Sequence, residues 1–193
     1  MLNIRRVSAG MTIRPRSSIL RAIPESTASE PTDRNANGAG VPSIVMSWVD
    51  THCHLQLDGR PAADLLARAS DVDWIVVPGV DEESSAAAVS LARDFPGRIL
   101  ATAGLHPHDA SAWPEQRESI ERLAPEVSAI GETGLDFYRN LAPAEAQERS
   151  FRDQIAIALD RDLPVVVHCR DAFSAVHAIV EETGVGSQAV LHC

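Results

Sequence analysis

From Met46 onward the chain repeats one unit: a short apolar run closed by turn residues, then a stretch with helical spacing. The runs are Ser47–Thr51, Trp74–Val80, Ile99–Gly104, Val127–Gly131, Leu163–Val167 and Ala189–Leu191. They are rich in Val and Ile and apolar on both faces, the pattern of strands buried in a parallel sheet. Between them, Ala62–Ser70, Glu82–Asp94, Pro114–Ala124, Ala144–Arg161 and Phe173–Glu182 carry apolar residues three and four apart, as at Phe151, Ile155, Ala158 and Leu159. Pro114 and Pro143 stand where a helix start tolerates proline, and Gly184 where a helix stops. Such a repeat restricts the chain to a parallel α/β fold.

An open doubly wound sheet should carry a glycine-rich phosphate turn after its first strand. Here the first run leads into Thr51-His52-Cys53-His54, and nothing after Leu57 resembles that turn. A TIM (β/α)8 barrel is the better expectation. Its full form needs about 250 residues, so a chain of 193 residues with six strand-like runs predicts an incomplete barrel, about six of eight strands. Residues 46–193 would be the first three-quarters of that barrel. Residues 1–45 read as a disordered extension or a start assigned too far upstream. They are rich in Ser, Pro, Asn and Gly, and carry six Arg against three acids.

Charge narrows the function. A net charge of -10 does not suit a protein that coats nucleic acid through a basic surface, but bound cations can supply positive charge locally. All 17 basic residues are Arg, which excludes a Lys nucleophile and a carboxylated-Lys metal bridge. No apolar run approaches the roughly 18 residues of a membrane span, and no obligate protein partner is evident. The three cysteines, Cys53, Cys169 and Cys193, are far apart, each directly after a His. They read as buried fillers in a cytoplasmic protein, with Cys53 pointing away from its flanking histidines.

Six of the seven histidines fall at or just past the end of a strand-like run: His52, His54, His106, His108, His168 and His192. In α/β barrels the site forms there, from several strands. His52 and His54, two apart, would share a face, with Asp50 orienting one of them. Glu132, between Gly131 and Thr133-Gly134, would place a carboxylate beside these imidazoles, and His168 and His192 end two further runs. One carboxylate and four imidazoles make a site for Zn, Mn, Ni or Mg. His106-Pro107-His108 reads as a loop over the site, contacting substrate. Tyr138, Arg139 and Arg170 lie just past strand ends and would hold phosphate oxygens. His177, inside a helix, reads as structural.

Val49-Asp50-Thr51-His52-Cys53-His54, Gly104-Leu105-His106-Pro107-His108, Ile130-Gly131-Glu132-Thr133-Gly134-Leu135-Asp136, Pro164-Val165-Val166-Val167-His168-Cys169-Arg170-Asp171 and Leu191-His192-Cys193 resemble, in order and spacing, the motifs of the TatD-type DNases, members of the amidohydrolase-like metal-dependent barrels. The resemblance covers residues 47–193. It implies two divalent metal ions: His52 and His54 on the first, Glu132 bridging, His168 and His192 on the second. It implies phosphodiester hydrolysis of DNA, often from the 3′ end, with catalytic roles for Glu132, His106 and His108. The family also uses an Asp after the eighth strand, which this chain does not contain, so the sequence is expected to be a fragment. Two other readings stay open: an amidohydrolase or lactonase acting on cyclic amides or esters, and an inactive metal-binding remnant.

Overall fold

In the computed structural model, residues 4–6 and 48–192 are described. The seven strands are β1 (Ile4–Arg6), β2 (Trp48–Asp50), β3 (Val72–Val77), β4 (Ile99–Ala103), β5 (Ala129–Asp136), β6 (Val165–Arg170) and β7 (Ala189–His192). The helices are α1 (Ala62–Arg68), α2 (Glu82–Asp94), α3 (Trp113–Leu123), α4 (Ala144–Asp160) and α5 (Phe173–Thr183). The sheet runs in chain order from β1 to β7. β2 to β7 pair in parallel, whereas β1 pairs antiparallel with β2. A doubly wound sheet would reverse its strand order at a switch point. A sequential order of six parallel strands, each pair joined across a helix, is the winding of a TIM barrel.

The extension expected over residues 1–45 contributes β1; residues 1–3 and 7–47 lie outside those described. Helix starts and stops follow local chemistry. Asp81 caps α2, its carboxylate accepting from the Ser84 N–H while the Ser84 hydroxyl accepts from the Asp81 N–H. α5 ends at Gly184, whose φ of 74° a glycine adopts without strain. Phe151, Ile155 and Ala158 of α4 are buried as their spacing predicts, while Leu159 in the last turn is exposed.

Two strands differ from the sequence reading in a way that places the site. β5 runs on to Asp136 instead of stopping at Gly131, and all eight of its residues are buried. β6 runs on to Arg170 instead of stopping at Val167. Gly131 and Gly134 look like turn residues in the sequence, yet both lie inside β5. A Cβ at Gly131 would stand 2.4 Å from the Val166 carbonyl oxygen, and one at Gly134 would stand 2.1 Å from that of His168. The glycines are what let β5 approach β6 so closely, so the charged end of β5 is delivered beside His168.

Helix α4 secures this end of the sheet from outside. Gln154, fully buried, accepts from the Leu105 N–H at 2.9 Å and donates to the Leu105 carbonyl at 3.0 Å. Gln147, two helical turns earlier, accepts from the Asp136 N–H at 2.8 Å and donates to the carbonyls of Asp136 and Ala142. These buried amides satisfy backbone groups that the sheet leaves over at its strand ends.

Candidate functional site

Three consecutive carbonyls after β3 hold three different site residues. Pro78 O accepts from His54 Nδ1 at 3.1 Å, Gly79 O from the Glu132 N–H at 2.7 Å, and Val80 O from the His106 N–H at 2.8 Å. Asp50, at the end of β2, accepts from the His52 N–H at 3.1 Å. Its carboxylate therefore fixes the main chain at His52, not the ring as the sequence reading expected. Backbone and side-chain hydrogen bonds together thus draw the ends of β2, β3, β4 and β5 onto one point.

Glu132, 2% exposed, occupies that point. Its Oε2 lies 3.2 Å from His52 Nε2 and 3.5 Å from His54 Nε2. Its Oε1 lies 2.9 Å from His168 Nδ1 and 3.9 Å from His106 Nε2. The two oxygens of one carboxylate thus face two separate sets of imidazoles. Two groups whose ligand atoms all lie within 4.8 Å of one another share this residue: His52, Glu132 and His192, and His106, Glu132 and His168.

Hydrogen bonds fix which ring nitrogens carry protons. A carbonyl only accepts, so the bond to Pro78 puts the His54 proton on Nδ1 and leaves Nε2 as a bare lone pair facing Glu132. His168 stands between two carboxylates, its Nδ1 2.9 Å from Glu132 Oε1 and its Nε2 3.2 Å from Asp136 Oδ2. Nδ1 also lies 3.3 Å from His106 Nε2, and where that nitrogen donates, Nδ1 presents its lone pair and the proton goes to Nε2, beside Asp136. A lone pair aimed at a carboxylate is unfavourable unless a proton or a cation stands between them. The donor set, imidazole nitrogen plus carboxylate oxygen with ring orientation set from outside, therefore fits a divalent transition metal. His106 differs: its Nδ1 accepts from the His108 N–H at 3.2 Å, so the neutral ring carries its proton on Nε2 and acts there as a donor.

The titration directions follow from the packing of the rings around the carboxylates. Burial alone would raise the Glu132 carboxyl, but the imidazoles of His168, His52 and His54 beside it outweigh burial and hold the group well below the usual carboxylate range. Burial works the same way at Asp136 and is likewise outweighed, by the Arg139 N–H and by His108 and His168, leaving a value of about 2. His168 is raised: burial opposes its charge, and Glu132 and Asp136 prevail. Burial lowers His106 to about 4, against the pull of Glu132, and burial also lowers His192.

The placement of the remaining expected residues is mixed. His192 stacks on His52, ring centroids 3.7 Å apart and planes within 8°, and is 6.3 Å from His168. It therefore groups with His52 rather than sharing a set with His168. His106 to His108 form not an open loop but the start of a 3-10 helix, Pro107–Ala112, with proline in its first turn. Arg170 lies on the β6 face of His168, one step outward, with its guanidinium 4.0 Å from the centre of the exposed Tyr138 ring. Arg139 is exposed, and its N–H donates to Asp136 Oδ1 at 2.8 Å. Regular strand stops at Asp50, so strand alternation does not set the direction of Cys53, which is half-buried against the apolar core and borders the same cavity as His52 and His54. Cys169 is buried, Cys193 lies outside the described residues, and His177 is exposed on α5.

The sequence reading missed Asp136. It is 1% exposed and touches both His108, at 2.8 Å, and His168. Strand alternation would have revealed it, since Glu132 and Asp136 are four apart on one face, but the glycines concealed that the strand continued.

A cavity of about 810 Å³ opens over this cluster, with Leu65, Val72 and Ile75 on its apolar wall. The model for TatD-related DNases matches residues 49–193. The chain belongs to the TatD-related DNase family. Among its relatives, the 3′-5′ ssDNA/RNA exonuclease TatD of Pectobacterium carotovorum is 44% identical over 118 residues, 60% of this chain and 45% of that protein. The enzyme of the same description from Musicola paradisiaca is 43% identical over 138 residues, 69% of this chain and 52% of the relative. The chain therefore spans about half the length of these relatives. The crystal structure of YJJV, a TatD homolog from Escherichia coli K12, superposes with a TM-score of 0.68 at 27% identity, covering 75% of this chain and 59% of that one. A TatD-family hydrolase from Entamoeba histolytica shares the fold, with a TM-score of 0.63 at 22% identity. Among the described residues, no helix is long and apolar enough to cross a membrane.

Proposed function

We propose that this protein is a metal-dependent nuclease that hydrolyses phosphodiester bonds of single-stranded DNA from the 3′ end, with two divalent ions at the Glu132 cluster. The observation that carries this reading is the carboxylate of Glu132, whose two oxygens face two separate imidazole sets. The substrate class is supported by relatives that bear the description 3′-5′ ssDNA/RNA exonuclease. His52, His54 and His192 would hold one ion, His168 the other, and Glu132 would bridge them. When bound, the ions would lower the pKa of the attacking water and neutralise charge on the phosphate and the leaving oxygen.

The chain's own groups account for the rest. His106 keeps Nε2–H toward the cluster and stays neutral at physiological pH, so it donates a hydrogen bond to a phosphoryl oxygen without repelling a nearby cation. His108 is held by Asp136 at the same mouth. Arg139 and Arg170 stand exposed farther out, placed to receive flanking phosphates, and Tyr138 backs the Arg170 guanidinium. The cytoplasm belongs to this reading, supported by Cys53 and Cys169 as free thiols.

The test is hydrolysis of single-stranded oligonucleotides labelled at either end, by chain stripped of metal and then supplied with Zn, Mn, Ni or Mg. Metal-restored, stepwise loss of nucleotides from the 3′ end is expected, and Glu132→Ala should abolish both turnover and the binding of more than one ion. Hydrolysis of cyclic imides or lactones in place of DNA would transfer the site to amide or ester chemistry. Metal binding without turnover on any of these substrates would overturn the nuclease reading for this chain.

A further inference from the structure

Asp136 lies outside the ligand set proposed above, yet all four of its polar atoms are hydrogen-bonded. Its N–H donates to Gln147 Oε1 at 2.8 Å, and its carbonyl accepts from Gln147 Nε2 and from the Asn140 N–H, both at 3.3 Å. One carboxylate oxygen, Oδ1, accepts from the Arg139 N–H at 2.8 Å. The other, Oδ2, is reached from two different elements: by His108 Nε2 at 2.8 Å and by His168 Nε2 at 3.2 Å. Gln147 on α4 holds the main chain of Asp136 and the Arg139 N–H holds Oδ1, so Oδ2 is a positioned acceptor against which the two rings are set.

We propose that Asp136 is a positioning residue that fixes His168 in its Nε2–H form, so that the Nδ1 lone pair on the Glu132 side would be free to ligate a metal, and that it orients His108 in the same stroke. This rests on the reading of the cluster as a metal centre. The consequence for His168 is chemical. A neutral imidazole has one lone pair; Glu132 Oε1, 2.9 Å from Nδ1, draws the proton to one side, and Asp136 is the acceptor that draws it to Nε2 on the other. Without a carboxylate at this place, the proton is free to sit on Nδ1, where it blocks ligation and leaves Nε2 facing away from Glu132. An outer carboxylate that fixes the tautomer of a ligating histidine also makes that ligand more basic.

Asp136→Asn gives a sharp test. The Arg139 N–H still demands an oxygen at the Oδ1 position, so the amide nitrogen falls at Oδ2 and faces both rings as a donor. The substitution keeps size and backbone contacts but inverts the hydrogen bond at His168 and His108. Ring tautomers are read in the metal-free protein by ¹⁵N NMR of labelled histidines, at a pH where the rings are neutral. The expected result is Nε2–H at His168 in the unsubstituted chain, a shift to Nδ1–H in Asp136→Asn, and a loss of about 10–100-fold in Mn or Zn affinity by titration calorimetry, with an unchanged far-UV spectrum. Nδ1–H at His168 in the unsubstituted chain overturns the proposal whether or not the variant folds. An unchanged tautomer and unchanged affinity in a folded variant overturn it as well. Should the unsubstituted chain bind no metal, the metal reading fails, while the tautomer measurement still decides what Asp136 does to His168.

Discussion

Two constraints act on the ring of His106. Its Nδ1 is occupied by the His108 N–H, and burial disfavours its charged form, lowering its pKa to about 4. The unfolded chain takes up a proton at His106 near the ordinary value of about 6.5, whereas the folded chain does so only near 4. Between those values the unfolded state binds more protons, so stability rises with pH in this window and is lost as pH falls through it. Asp136, with a value of about 2, contributes below this window: its stabilisation is complete above the ordinary carboxylate value and is lost on further acidification. His168 acts with the opposite sign, since its raised value favours the folded state at lower pH. His106→Gln isolates the first effect. In metal-free protein, the thermal midpoint of the unsubstituted chain should fall relative to that of His106→Gln as pH drops from about 6.5 to about 4, by the equivalent of at most about 3 kcal/mol. Parallel midpoints across the window would show that His106 titrates as if in water.

At the level of elements, the pairing of β5 with β6 carries the site, and it depends on glycine at positions where the strand presses on its neighbour. Gly134 has a φ of 136° and a Cβ there would meet the His168 carbonyl oxygen at 2.1 Å, while Gly184 has a φ of 74° with nothing within 4 Å of its Cβ position. Both replacements incur backbone strain, but only one collides. Gly184→Ala should lower stability by about 1 kcal/mol, and Gly134→Ala by at least about 3 kcal/mol, measured by urea denaturation. Equal losses would mean that β6 moves aside at no expense. The same strand marks where sequence reasoning stopped. The order of strands and helices was legible because burial imprints its period on the chain, and six histidines stood out because strand ends converge in a barrel. Gly131 and Gly134 misled because a glycine that permits a close approach looks like one that turns the chain; that shortened β5 and hid Asp136. The stacking of His192 on His52 was illegible for another reason: it depends on side-chain directions across non-adjacent strands, which no local spacing encodes.

For the molecule as a whole, a sequentially wound sheet has two lateral edges, and they are treated differently. β2 is paired on its outer side by β1. Among the described residues, no strand pairs with the outer side of β7, where Val190 is 55% and Leu191 40% exposed. An exposed apolar strand edge offers unpaired backbone groups to another chain. β7 also carries His192, so whatever pairs there lies beside the Glu132 cluster. β7 lies in register with β6 from Ala189 opposite Val165 to His192 opposite His168, so pairing on its outer side would fix the strand that carries His192 and, with it, the ring stacked on His52.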